Sequence, residues 1–581
     1  MAQASPAPAR DFAAIALQYA RDVVEERIPA CRWVRLAAAR QLRDIEREQT
    51  DPAWPYAWNP ELIDTVTGRA YRPAQRICAF AELMPHTKGD WAARGERLHL
   101  EPWQVFILST VFGWIVKATG KRRFRKASVY VPRKNGKSAL AAAVGLYMLT
   151  LDREYGAEVY SGATSRAQAL EVFKPALLMS RRSSDFRRTY GVTTSTSKIS
   201  TPSEGKFEPL IGKPGDGASP SCAIVDEYHE HTSPELYDTM DTGMGARSQP
   251  LLLVITTAGT NIGGPAYLHQ KRLEQILEGV IDDESQFGIV YGIDRDDDWR
   301  TIEAAKKANP NFGVSLRSEF VEAQLRTART DKRVQNVYKT KHLDVWVGAA
   351  NPWLNLESLQ ACADPNLTEE EFRGEDAFIA ADLASKQDIA AKCKVFRRQV
   401  DGVWHYYAFF KCWLPQARAE AEENGHYQAW VNAGHLVQTP GNMIDLGAVQ
   451  DDILRDAELH VINSVSLDAW GSREIAPNLQ SDGLTVIDVP MTTRNLSEPM
   501  KLIQALVDAG RFHYVGDQCV TWQFANVECV PDRNENLFPR KAKAENKIDA
   551  AVACILAVGR AMVGVQDDDT HDEAVVDLGS Y

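Results

Sequence analysis

The chain has 581 residues, 44% of them hydrophobic and 25% charged, and a formal net charge of -12. That length exceeds a single compact core, and the composition excludes a disordered chain, a collagen-like repeat and a coiled coil; two globular domains with peripheral segments are expected. The acidic total also excludes polyanion binding through overall charge, so any nucleic-acid contact must come from locally basic surface.

In chain order, the opening MAQASPAPARDF lacks the apolar stretch of a secretory signal, and the longest apolar run, residues 138–151, is too short to cross a bilayer. Both features predict a cytoplasmic protein. Nine cysteines are scattered without a CxxC pair or a zinc-like histidine spacing, so reduced, mostly buried thiols are expected. Residues 11–49 repeat apolar side chains at helical spacing among arginines and glutamates, predicting one or two amphipathic helices. The stretch DPAWPYAWNP ends them and separates an N-terminal helical segment, residues 1–55, from the rest of the chain. Between residues 121 and 137 stand eight basic side chains and no acidic one. The string KRRFRK within that run is a candidate contact for DNA phosphates, with service to a bound phosphate or a neighbouring subunit as the alternative.

From Ala127 onward β-rich runs alternate with helical ones: ASVYVP, a helix from Lys137, AEVYSGA, a helix from Ser165, then SCAIVDE and LLLVITT. This rhythm predicts a mostly parallel sheet flanked by helices over residues 56–295. Residues 296–352 turn helical and polar and end in LDVWVGAANPW, a linker. A second strand-rich unit, residues 353–565, opens with FIAADLA. CKVFRR and VWHYYAFF come next, joined through the turn QVDG, then SVSLD and LTVIDVP, and a closing helix over residues 546–563. Residues 566–581 carry six acidic side chains and no basic one and read as a flexible tail.

The string VYVPRKNGKSALAAAVGLYML places a strand, a loop with GKS and an Ala-rich helix in the order that holds a triphosphate. The loop Arg133, Lys134, Asn135, Gly136 presents backbone N–H groups at a helix start, Lys137 reaches the β- and γ-phosphates, and the Ser138 hydroxyl can ligate magnesium. Val131 stands where GxxxxGK[ST] has its first glycine, so the turn must close differently. SCAIVDE, about ninety residues on, ends an apolar strand in two adjacent carboxylates. Asp226 can hold magnesium and Glu227 can polarise the attacking water, at the sheet edge where doubly wound folds bind ligands. His229 and His231 flank Glu230 directly afterwards; no third metal ligand is evident, and structural or coupling roles are favoured.

RKNGKS, DEYHEH and ITTAGT in this order, with LEPWQVFILSTVFGW before them, resemble the large terminase proteins of HK97-like tailed phages over roughly residues 75–565. The resemblance implies an α/β fold: a P-loop (ASCE-type) ATPase with a parallel-rich sheet, followed by an RNase H-like mixed-sheet nuclease. It implies ATP and Mg2+ as cofactors, with Mn2+ as an alternative at the nuclease. Double-stranded DNA, a portal ring, a small terminase subunit and further copies of the chain are the implied partners, in a host cytoplasm. By position it assigns Gln104 to the adenine edge and Thr256 and Thr257 to a motif coupling hydrolysis to DNA movement. A ring motor also needs an arginine supplied in trans; Arg166 is the first candidate, with Arg181, Arg182, Arg187 and Arg188 as competitors.

RNase H-like nucleases hold two divalent ions with hard carboxylate oxygens from separated strands and a helix. Asp382 ends FIAADLA, Asp468 ends SVSLD and Asp549 opens the last helix, and the resemblance assigns these three acids to the nuclease. Singly, each serves equally well as a cap or turn former. Asp388 could assist and Lys547 could contact a DNA phosphate. The function implied is ATP-driven packaging of double-stranded DNA, with a two-metal cut at initiation and termination. A helicase-nuclease of DNA repair would need a second motor domain with its arginine motif, and a nucleotide-switch assembly factor would lack the catalytic acids.

Overall fold

The computed structural model describes residues 10–211, 217–347, 352–383, 388–420, 425–468, 472–529, 531–541 and 546–569. The chain divides into two compact units, Met1–Trp346 and Val347–Tyr581.

The first unit is built on eight strands: β1 (Lys126–Tyr130), β2 (Glu158–Ala163), β3 (Thr193–Thr194), β4 (Ile199–Ser200), β5 (Lys206–Ile211), β6 (Cys222–Asp226), β7 (Leu251–Thr256) and β8 (Gln286–Val290). Their spatial order is β8-β1-β7-β6-β2-β5-β4-β3. The pairs from β8 to β5 are parallel, and only the short edge strands β4 and β3 run antiparallel. Strands β6, β7 and β8 are buried at every position, as expected where helices cover both faces and the strands become continuous apolar runs. Helix Lys137–Thr150 follows β1 and lies so close to the sheet that a Cβ on Gly145 would meet the Phe207 ring at 2.6 Å.

Helices Phe12–Val24 and Arg32–Thr50 share this core. The Tyr19 hydroxyl lies 3.2 Å from that of Tyr291, and the Cys31 thiol donates to the Val290 carbonyl. Helices Ile302–Ala308, Ser318–Thr330 and Lys332–His342 gather around Leu316, Val321, Leu325 and Leu343, also within the first unit.

Burial takes the two central arginines out of the candidate DNA contact KRRFRK. Arg122 and Arg123 are 3% exposed. Arg122 pairs with Asp152 at 2.8 Å, Arg123 pairs with Asp44 at 2.9 Å and with Glu284, and Lys126 pairs with Asp241 at 2.5 Å. The Arg123 guanidinium also stacks over the Tyr56 ring. Such a run satisfies distant carboxylates inside the fold; among its cations only Arg125 stays exposed.

In the second unit the strands are β9 (Asp376–Asp382), β10 (Ala390–Val400), β11 (Val403–Pro415), β12 (Val437–Thr439), β13 (Val461–Leu467), β14 (Val486–Asp488) and β15 (Phe512–Tyr514). The order is β12-β11-β10-β9-β13-β14, with β15 also paired to β11. β9, β10 and β11 run antiparallel in succession, while β13 and β14 extend the sheet in parallel. The β10–β11 hairpin closes at Asp401 (φ 51) and Gly402 (φ 77), the paired left-handed residues of a two-residue turn matched to strand twist.

Alternation along β10 sends its side chains to opposite faces. On one, Lys392 and Lys394 form buried ion pairs with Asp452 and Asp456 of helix Leu446–Leu459. On the other, Cys393 meets Cys554 of helix Asp549–Asp569. That helix starts three residues later than expected. Among the described residues all nine cysteines are free and eight are buried, and no helix is long and apolar enough to cross a membrane. Residues 570–581 of the expected tail lie outside the described residues.

Candidate active sites

The loop after β1 closes without a first glycine. Val131 N–H donates to the Thr256 carbonyl at 3.0 Å, Lys134 takes φ 73, and Gly136 takes φ 84 as the residue before helix Lys137–Thr150. Asn135 staples the turn, its Nδ2 donating to the Pro132 carbonyl at 3.0 Å and to Asn309 Oδ1 at 2.9 Å. A second layer holds the loop from behind. Asn311 N–H donates to Asn135 Oδ1 and its Nδ2 to the Asn135 carbonyl, the Ser315 hydroxyl donates to the Lys134 carbonyl, and Trp103 Nε1 donates to Asn311 Oδ1. Arg133 N–H is taken by the Lys341 carbonyl at 3.0 Å. Carbonyls and side-chain amides are thereby committed to the protein.

The acid pair sits at the carboxyl end of β6, two strands from β1. Lys137 Nζ stands 3.5 Å from Glu227 Oε1, both facing an open cleft of about 780 Å³ that Gln104, Ser138 and Arg133 also line. Three buried polar atoms here have no hydrogen-bond partner: Lys137 Nζ, Asp226 Oδ2 and Glu227 Oε2. Burial first, then the Glu227 charge, push the Asp226 carboxyl up to about 7. Burial likewise opposes the charge on Glu227, but Lys137, His229, Arg133 and Lys341 together hold its carboxyl below the ordinary value. A buried ammonium beside buried carboxylate oxygens, each without a hydrogen bond, is the donor set that phosphate oxygens and a hard divalent cation would satisfy.

Glu227 adopts φ 49, a left-handed conformation that costs a non-glycine residue on the order of 1–2 kcal/mol. Its N–H is held by the Ile255 carbonyl at 3.0 Å and by Asp226 Oδ1 at 3.0 Å. The strand therefore does not continue through His229 and His231; Tyr228–Glu230 is a 3-10 turn. His231 turns back to the Asp226 carbonyl at 3.4 Å and against the Tyr228 ring, and burial pushes its pKa down to about 4. His229 instead reaches Thr256 at the end of β7. Both threonines are fully buried, with Thr256 Oγ1 3.0 Å and Thr257 Oγ1 3.5 Å from His229 Nδ1.

Gln104 is split between two duties. Its Oε1 accepts the Glu101 N–H within a capping box, leaving Nε2 beside Gly136. The Arg166 side chain lies outside the described residues. Arg181, Arg182, Arg187 and Arg188 each bond to neighbouring backbone or, for Arg188, to Asp185.

In the second unit the parallel register Ala381↔Leu467 sets the next residues, Asp382 and Asp468, side by side at adjacent strand ends. Asp549 opens the helix packed across β9 and β10. Burial first, then Asp549, Asp468 and Asp388, push the Asp382 carboxyl well above its ordinary value, against the pull of Lys541. Burial and Asp388 push Asp549 up to about 7, and its buried Oδ2 has no hydrogen-bond partner. Lys547 Nζ pairs with Asp388 at 2.6 Å. Acids that raise one another's pKa in this way favour either a shared proton or a bound cation. Their hard oxygens fit a divalent ion, although among the described residues no three such side chains stand close enough to hold one as placed.

Asn309, Asn311, Ser315, Lys341 and Lys541 escaped the sequence reading. The string NPNFG, residues 309–313, marks a turn, but nothing in it points to a loop more than 170 residues earlier.

A P-loop ATPase fold followed in one polypeptide by an RNase H-like fold defines the class: a nucleotide hydrolase joined to a nuclease. Residues 102–275 match the family model of the terminase large subunit ATPase domain, and residues 280–564 that of its endonuclease domain. The chain is 38% identical to protein YmfN of Escherichia coli K12 over 379 residues, 64% of this chain and 83% of that protein. It is 26% identical to the terminase large subunit of Enterobacteria phage HK97 over 502 residues, 84% of this chain and 95% of that one. The crystal structure of the HK97 large terminase aligns with 25% identity and a TM-score of 0.45, covering 84% of this chain and 99% of that one. The chain belongs to the terminase large subunit family, with ATPase and endonuclease activities.

Proposed function

We propose that the chain hydrolyses ATP at the β1–β6 edge of its first unit to drive double-stranded DNA into a procapsid. At the strand ends of the second unit it cuts that DNA when packaging starts and finishes. The convergence of Lys137, Asp226 and Glu227 with three unsatisfied buried atoms carries the ATPase assignment. Loop residues 133–136 cradle the phosphates, Lys137 neutralises charge on the β- and γ-phosphates, and the Gln104 amide faces the nucleotide. Ser138 and Asp226 would hold Mg2+, which when bound polarises the γ-phosphoryl group. Glu227 orients the attacking water and takes its proton. Thr256 and Thr257 pass the state of the site onward, and Arg166 is offered to a neighbouring copy's nucleotide.

In the second unit Asp382, Asp468 and Asp549 would hold two Mg2+ or Mn2+ ions, which supply an activated water and stabilise the leaving oxygen. Asp388 keeps Lys547 beside them, where its ammonium can meet a DNA phosphate. A portal ring, a small terminase subunit and a ring of further copies are the partners, in the host cytoplasm. Residues 56–295 serve as the motor, with its phosphate-binding loop held from behind by Asn309, Asn311 and Ser315 of the segment 296–352, and residues 353–565 serve as the nuclease.

The test is a pair of variants assayed for ATP hydrolysis with DNA present and for metal-dependent cleavage of plasmid. Glu227→Gln should lose about 100-fold or more of ATP turnover and keep cleavage. Asp382→Asn should lose cleavage and keep ATP turnover. Loss of both activities in either folded variant overturns the division of labour.

A further inference from the structure

His229 lies at the meeting point of three segments distant in sequence. Its Nδ1 is 3.0 Å from Thr256 Oγ1 and 3.2 Å from Glu227 Oε2, and its Nε2 is 3.0 Å from Lys341 Nζ and 3.1 Å from Glu230 Oε1. The ring is buried, and its backbone N–H is pinned to Thr256 Oγ1 at 3.1 Å.

We propose that His229 is the positioning residue through which Thr256 and the helix Lys332–His342 set the orientation of Glu227. The inference rests on the reading of Glu227 as the group that activates water. A neutral imidazole carries one N–H, so a donor at one nitrogen dictates what the other can do. The Lys341 ammonium can only donate. Where it meets Nε2, that nitrogen accepts, and the ring proton sits on Nδ1. The Thr256 hydroxyl proton is committed to the Thr257 carbonyl at 3.1 Å, so Thr256 Oγ1 accepts. Nδ1–H therefore has two acceptors in reach, Thr256 Oγ1 and Glu227 Oε2. It is aligned with the first, and Glu227 Oε2 is left without a hydrogen-bond partner.

When Glu230 takes Lys341's place at Nε2, the ring proton moves there and Nδ1 becomes an acceptor, repelling the Glu227 carboxylate. The residue that makes this choice, Lys341, lies in the last turn of its helix, and its own carbonyl accepts Arg133 N–H from the phosphate-binding loop. The imidazole thus connects loop, hydrolytic acid and threonine through one proton position. Two nearby acids and one lysine decide which side of the ring carries it.

The experiment measures kcat and KM for ATP, with binding of a non-hydrolysable ATP analogue and a thermal melt reporting the fold. His229→Ala should lower kcat by about 100-fold, the cost of a small misplacement at a reacting centre, with KM held within about 3-fold. His229→Asn, which keeps a donor near the Nδ1 position, should recover about 10-fold of that loss. Lys341→Met should lower kcat less, and the double variant His229→Ala/Lys341→Met should be no slower than His229→Ala alone, because contacting residues are not additive. A His229→Ala enzyme turning over within about 2-fold of wild type, or a double variant whose losses multiply, overturns the proposal. Glu227→Gln, run alongside, separates the two readings: if it hydrolyses ATP normally, the role of Glu227 fails; if it is dead while His229→Ala is normal, only the role of His229 fails.

Discussion

At the phosphate-binding loop two backbone positions take over the role that a first glycine has elsewhere. Lys134 and Gly136 both take left-handed conformations, and a Cβ on Gly136 would lie 3.5 Å from Gln104 Nε2, an ordinary contact. The steric room is adequate, so a change at Gly136 costs backbone strain alone. Gly136→Ala should lower the melting point by an amount equivalent to about 1 kcal/mol and raise KM for ATP, and an unchanged KM would show that the loop need not hold this turn. The residues of this site that were legible in the sequence are those whose neighbours in the chain explain them: Lys137 within GKS, Asp226 and Glu227 at a strand end. Asn309 and Asn311 were not legible, because their partners are Asn135 and Trp103, and hydrogen bonds between distant amides leave no spacing rule. The turn that carries His229 was not legible either, because the left-handed conformation at Glu227 has no glycine to announce it.

Among the elements, strands and helices that bury a full apolar run were legible from their pattern, β1, β2, β6 and β7 among them, as was the β10–β11 hairpin from QVDG. The two-residue strands β3 and β4 were not, being too short to show a period. Helix Lys137–Thr150 carries the loop at its start and must lie flat on the sheet for Lys137 to reach Glu227. Gly145→Val would force the helix off Phe207 and Ile224, costing about 1–3 kcal/mol, and ATP turnover should fall along with the melting temperature. In the second unit, Asp456→Ala would strand Lys392 and Lys394 in a buried site. Removal of one partner from such a cluster costs roughly 3–5 kcal/mol, so chemical denaturation should show a large loss of stability. A loss under about 1 kcal/mol would mean that Asp452 and Glu369 carry both lysines unaided.

Across the whole molecule, buried ionisable groups set opposing responses to acid. Burial pushes His231, His269 and His342 down to about 4, so each is neutral in the fold, and the stability this represents is complete above pH 6.5 and lost as pH falls toward 4. Asp344 and Asp549, pushed up to about 7, work the other way: they gain stability as pH falls through the same window. A raw melting curve against pH mixes both. His269→Asn isolates one arm: the variant should start less stable at neutral pH, and its deficit should shrink by up to roughly 3 kcal/mol between pH 6.5 and 4. A deficit independent of pH would show that His269 is not held neutral. The acidic net charge and the basic run were legible in the sequence at this scale; their meaning was not, since the carboxylates that absorb Arg122, Arg123 and Lys126 lie from 30 to 161 positions away. The sulfur inventory offers a practical opening. Eight of the nine thiols are shut inside the fold, and Cys529, partly accessible and held somewhat above its usual pKa by partial burial, follows the short strand Val527–Glu528. A maleimide dye at mildly alkaline pH would attach there first, placing a single optical reporter on the native polypeptide with no engineered cysteine and no thiol removed.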